Sequence, residues 1–259
     1  MMELSHFVWY PIPGEGYRKL PVASSDGFNP SVYIHLFAGE YVPIIYKTNE
    51  NYAAYLLFNK PTLREIVFTK ISLKKKMDEY GREGLYHHSA IIKREALENG
   101  TISLFDVEKA MDDFEKVYPR PRGNIPPLEV PQNESFNYMC LKKYLTQQAV
   151  EHIVSRFTKT GKNRTFLRCP GATEKERFEI SVALLTLLNF VFKLQPISFS
   201  TETPLLGVHY KFFNLLVVER VIPPDRDADE WIVIRWDEQK EIQRKIPEDI
   251  KEKLSEIFS

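Results

Sequence analysis

A chain of 259 residues, 43% of them apolar, can bury a substantial core as one large domain or two small ones. Thirty-five basic residues balance thirty-five acidic ones, so no global field draws the protein onto nucleic acid or an anionic membrane, and nucleic acid is disfavoured as a partner. Two cysteines, Cys140 and Cys169, behind a start without a signal-type pattern, argue against a disulfide framework and for a reducing compartment, the cytoplasm.

The first hundred residues carry short aromatic and β-branched runs at 31–37, 41–46, 52–58, 64–72 and 87–93, which read as strands. Next, Leu104, Val107, Ala110, Met111, Phe114 and Val117 recur at helical spacing behind a cap at Ser103, predicting an amphipathic helix over 104–117. Residues 118–131 hold five prolines in 14, which neither a helix nor a central strand tolerates. The segment 119–131 therefore reads as a linker between a β-rich domain (1–118) and an α/β domain (132–259), or else as an ordered surface strap inside one domain.

Beyond it the pattern predicts a helix over 136–157, a strand at 165–169, a helix over 174–192, strands at 196–201, 212–220 and 231–236, and a helix over 248–257 behind Pro247. A strand, a long helix and a strand in succession predict a right-handed βαβ unit. The runs FFNLLVVE and WIVIRW are expected to pair as a hairpin across the acidic loop 223–230. The expected class is α/β (α+β): a β-rich first half with an amphipathic helix, then a βαβ unit in a mixed sheet. The longest apolar stretch, Ile180 to Phe192, is shorter than the roughly 20 residues a membrane span needs and reads as a buried core helix.

The stretch FLRCPGATEKER (166–177) sets Cys169 between a strand and a helix. A helix amino terminus can hold an anion and lower a thiol pKa, so Cys169 can be a packed structural residue, part of an anion site with Arg168, Thr173, Lys175 and Arg177, or a nucleophile. Cysteine phosphatases place an arginine after five residues that follow the thiolate; here that position is Lys175 and the arginine is Arg177. Thr173 and Glu176 also match a capping box, which accounts for the spacing with no ligand. Nine basic residues against three Glu between Lys142 and Arg177, and six against one between Lys60 and Lys76, form local basic stretches that read as solvated faces or as surfaces for phosphates or an acidic partner.

In DEYGREGLYHHSAIIK (78–93), Gly81 and Gly84 flank Arg82 and give the turn conformational freedom to present its guanidinium to a partner, or else Arg82 pairs with Asp78, Glu79 or Glu83 and fixes the turn. His87 and His88 face opposite ways in an alternating strand, so they do not share a metal, and neither a metal nor a cofactor is expected. The pattern Gly81-Arg82-x-Gly84-x-Tyr86-x-His88-Ser89 resembles a turn in the amino-terminal domain of GTPase-associated regulatory proteins, with Glu83 where that family has a proline. The segment QPISFSTETP (195–204) is similar to a strand of the same family, and the order of elements is similar to longin-plus-DENN regulators of small GTPases. The resemblance implies a non-catalytic regulatory or adaptor protein acting on a protein partner, a GTPase or other nucleotide-binding protein, with Arg82 and His88 as partner-binding residues. The alternatives are an enzyme or binder for a phosphorylated ligand at Cys169, and a nucleic-acid-associated protein using the basic stretches. The sequence is silent on oligomeric state.

Overall fold

In the computed structural model, residues 1–16, 20–25, 52–59, 64–74, 84–132, 138–158, 164–202, 213–220, 231–236 and 246–259 are described. The fold is mixed α/β, and the chain divides into two units, one of residues 1–57 and 62–135, the other of residues 58–61 and 136–259. The runs expected as strands at 31–37 and 41–46, the Arg82 turn and the acidic loop 223–230 lie outside the described residues.

The first unit holds β1 (Met2–Leu4), β2 (His6–Trp9), β3 (Ala23–Ser25), β4 (Ala53–Phe58, its last residue assigned to the second unit), β5 (Glu65–Lys74) and β6 (Gly84–Lys93). Helices α1 (Arg94–Glu98) and α2 (Leu104–Val117) and strands β7 (Gly123–Ile125) and β8 (Leu128–Val130) follow. Its main sheet runs β4-β5-β6-β2-β3-β7, built on a ten-residue antiparallel ladder between β5 and β6. Strand β6 also pairs antiparallel with β2, while β1 and β8 form a separate antiparallel pair.

Helix α2 begins where expected, with the Ser103 hydroxyl accepting from the Asp106 N–H. It buries Leu104, Val107, Met111 and Phe114, the apolar stripe that its periodicity predicts. The proline-rich stretch 119–131, expected as a linker or a strap, carries β7 and β8 and belongs to the first unit. Both strands are three residues long, and β7 is the last in its sheet, an edge position compatible with neighbouring prolines.

The second unit holds α3 (Leu141–Tyr144), α4 (Gln147–Phe157), β9 (Arg164–Arg168), α5 (Glu174–Leu185), β10 (Phe199–Ser200), β11 (Leu215–Val218), β12 (Trp231–Arg235) and α6 (Glu248–Phe258). The single helix expected over 136–157 is thus two helices with an extended residue, Leu145, between them; Thr146 caps the second by accepting from the Ala149 N–H. Helix α5 continues as a π-helical turn over Thr186–Val191. There Asn189 donates to the Gln195 carbonyl (2.5 Å) and accepts from the Ile197 N–H (2.7 Å), tying the helix end to the approach of β10. Phe178, Ile180, Val182, Leu184, Leu185, Leu187 and Leu188 are all buried, as a helix apolar on every side requires.

Strands β12, β9, β11 and β10 lie in that order and are parallel at every pairing. The expected hairpin between the last two runs is therefore absent: β9 lies between β11 and β12 and pairs with both. Strand β11 is buried along its whole length, which is what continuous apolar runs in parallel sheets encode; they carry no information about which neighbour they choose. The order β9-α5-β10 links two parallel strands as a βαβ unit, with β11 inserted between them. None of the helices among the described residues is long and apolar enough to cross a membrane.

Candidate functional site

The strand–cysteine–helix junction forms as the sequence suggests, but its chemistry is closed. Cys169 is 0% exposed, and its thiol lies 3.8 Å from the Leu167 carbonyl. Burial pushes its pKa up to about 12, against the opposing pull of Arg177. Fully buried and held as the thiol, it is not set up as a thiolate nucleophile. Gly171, at φ +77°, turns the chain from β9 into α5. Thr173 and Glu176 make the full capping box: the Thr173 hydroxyl accepts from the Glu176 N–H (3.2 Å), and the Glu176 carboxylate accepts from the Thr173 N–H (2.9 Å).

Arg177 does not face an anion pocket. Its buried guanidinium donates to the carbonyls of Ala172 (2.6 Å) and Thr201 (3.1 Å) and pairs with the Glu202 carboxylate. Burial raises the Glu202 pKa to about 7, with Arg177 acting in the opposite direction. The segment 195–204 thus supplies two of the three acceptors for the arginine of the segment 166–177. Arg168 and Lys175 are exposed. The five residues expected to cradle one anion are therefore divided between the interior and the surface.

The first unit contains a polar chain that sequence reading missed. Register places His6, Tyr10, Tyr86, His88, Lys70 and Lys74 on one face of β2, β6 and β5, against the side of α2 that carries Glu108, Asp112 and Glu115. The His6 Nε2 donates to the Pro126 carbonyl (2.7 Å), which can only accept. Burial, reinforced by His88, lowers the His6 pKa to about 4, so its Nδ1 carries no proton and accepts from His88 Nε2 (2.8 Å). His88 Nδ1 then meets Glu115 Oε1 at 3.3 Å, and the other carboxylate oxygen accepts from Lys74 (2.7 Å). Burial, the larger influence, lowers the pKa of His88 against the upward pull of Glu115. His88 and Lys74 bring the pKa of buried Glu115 down to about 2, against the upward effect of burial.

Beside this chain Lys70 pairs with Asp112, and the Tyr55 hydroxyl donates to Glu108 (2.7 Å). The sequence held one signal of the network: Glu115 lies four residues after Met111 and eight after Val107, on the apolar stripe of an amphipathic helix. His6 gave no such signal. His88, expected to touch a partner, is fully buried and holds the interior of the sheet against α2. Arg82 lies outside the described residues.

Phe114 separates this chain from a groove of about 430 Å³ between α2 and β8. One edge of the His6 ring meets Phe114 at 4.7 Å between centroids, and Pro126, which accepts from His6, also lines the groove. Met1, Val117 and Tyr118 stand on its rim, 71%, 68% and 41% exposed. Its charged residues are Asp106, Asp113 and Glu129 against Lys109. Among the described residues no group of His, Cys, Asp and Glu has the arrangement of a metal site. No protein-family model matches the chain, and no curated protein matches it.

Proposed function

We propose that this is a regulatory or adaptor protein that works by binding other proteins, with the groove between α2 and β8 as a contact surface. The observation that carries the reading is the groove itself: apolar Met1, Val117 and Tyr118 stand exposed around a concave site. Clustered exposed apolar residues in a polar rim are a feature of interaction sites. Three acids against one lysine favour an extended peptide segment that carries apolar residues flanked by Lys or Arg. The resemblance at 81–89 and 195–204 favours a GTPase or other nucleotide-binding protein as the partner, with Arg82 as a second contact.

Selection of random peptides on the full chain tests the reading. Enriched sequences should combine apolar and basic residues, and Val117→Asp and Tyr118→Asp should each weaken them at least tenfold. Selection of nothing, or of peptides indifferent to both substitutions, would sink it. Binding to small GTPases loaded with GDP or a GTP analogue tests the partner class. There Arg82→Ala should weaken capture at least tenfold, about 1.4 kcal/mol, with an unchanged melting temperature.

A further inference from the structure

We propose that the protein pairs with a second copy of itself through β12, the two strands adding antiparallel about a two-fold axis at Val233. Strand β12 is the outermost of the second unit's parallel strands, and among the described residues no strand pairs with its far side. The Trp236 N–H donates to the Arg168 carbonyl of β9 (3.1 Å). Backbone groups point alternately to the two sides of a strand, so Ile232, Ile234 and Trp236 turn theirs toward β9, while Trp231, Val233 and Arg235 turn theirs away. No described residue bonds the outward N–H or carbonyl of Val233. Its side chain, 49% exposed, is one of six large apolar ones left exposed among the described residues, and the only one of them in a strand.

An open sheet edge templates the pairing of another chain unless lysine, proline, a bulge or an inward charge blunts it. Residues 231–234, WIVI, carry none of these, and their register with β9 is unbroken. The pattern of the edge selects a second copy as the occupant. Its centre, Ile232-Val233-Ile234, reads the same in both directions, so an axis at Val233 sets Val233 against its counterpart and Ile232 against Ile234 of the second copy. The two Val233 then form a hydrogen-bonded pair, each donating and accepting, and the isoleucines form the closer pairs on either side, where apolar contact is tightest. Charge fixes this register. Moving the axis one residue toward the carboxyl end sets Arg235 against Val233, and moving it two sets Arg235 against itself, an unfavourable like-charge pair. A two-fold contact of one edge with itself closes at two copies.

Sedimentation of the full chain across a concentration series should show a monomer–dimer equilibrium. Val233→Lys and Val233→Glu should each weaken dimerisation at least tenfold with an unchanged circular dichroism spectrum. An equimolar mixture of the two variants should dimerise again, because residue 233 meets its own counterpart and the mixture sets Lys against Glu. In a Cys140→Ser background, Val233→Cys should form a disulfide-linked dimer on mild oxidation, since Cα atoms of a hydrogen-bonded antiparallel pair lie about 5.5 Å apart, within disulfide reach; the remaining Cys169 is buried. A chain that stays monomeric at every concentration, dimers indifferent to both charged variants, or folded variants whose mixture stays monomeric would overturn the interface. Capture of an unrelated extended peptide along β12 by a chain that does not dimerise would overturn the second copy as its occupant.

Discussion

The two units bury charge in opposite ways. The first spreads it along a chain from the Pro126 carbonyl through His6 and His88 to Glu115 and Lys74, joining β2, β5, β6, α2 and the approach to β8. The second concentrates it in Arg177 and Glu202, between α5 and the end of β10. A distributed network shares the loss of any member among several groups and positions several elements at once. A compact buried pair leaves one uncompensated charge when either partner goes. The groove sits beside the distributed network, with Phe114 between them.

The largest expected effect is on the compact pair. Arg177→Met should cost about 3–5 kcal/mol in denaturant unfolding, and the double change Arg177→Met with Glu202→Leu should restore most of it, because two apolar side chains replace the pair without leaving a charge. A double variant as unstable as the single one would show that the Ala172 and Thr201 hydrogen bonds, not the ion pair, set the cost. Next, Leu185→Ala in the all-round buried helix should cost about 2–5 kcal/mol through lost transfer energy and the cavity left behind. A loss under about 1 kcal/mol would mean that the helix packs loosely.

The distributed chain should respond less: Glu115→Ala should cost about 1–3 kcal/mol, the price of leaving buried hydrogen-bonding groups unsatisfied. A loss as large as that of Arg177→Met would erase the contrast between the units.

Acid and base should also separate them. In the first unit His6 has its pKa lowered to about 4 and His87 to about 3, both by burial, so the unfolded chain takes up protons below pH 6.5 that the fold refuses. Its stability should be level above pH 6.5 and fall as the pH drops toward 4, with Glu115 adding a further loss from 4.5 down to about 2. In the second unit the raised pKa of Glu202 means that the fold holds a proton the unfolded chain has lost, so stability should fall as pH rises from 4.5 to about 7. Opening free energies from hydrogen exchange, read for β6 and β11 separately at pH 5 and pH 7, should change in opposite directions. The same direction in both strands would show that the units open together. Smallest of all, Val117→Asp on the groove rim should alter stability by less than about 0.5 kcal/mol, as an exposed position away from the buried chain.

Much of the fold was legible because its signals are local. The cap at Ser103, the stripe of α2, the capping box at Thr173 and the unbroken apolar character of α5 depend on residues within a few positions of one another, and each forms as read. What failed depended on distant partners. The strands 215–218 and 231–235 were both visible, yet nothing in their apolar runs said that β9 would separate them. The helix start after Cys169 left packed, anion-holding and nucleophilic readings open, and the packed one is what forms, because burial is a property of the whole unit.

Local periodicity and capping chemistry thus determined which segments are helices and strands, and the exact balance of charge excluded a global electrostatic role. Only the tertiary structure decided which charges meet. It turned Arg177 inward to Glu202, joined His6 to His88 across 82 positions of sequence, and placed Arg168 beside Arg235, 67 residues on, by strand register. The physical reason is that a side chain's protonation and its freedom to bind depend on the dielectric and the partners around it, and those are contributed by residues far away along the chain.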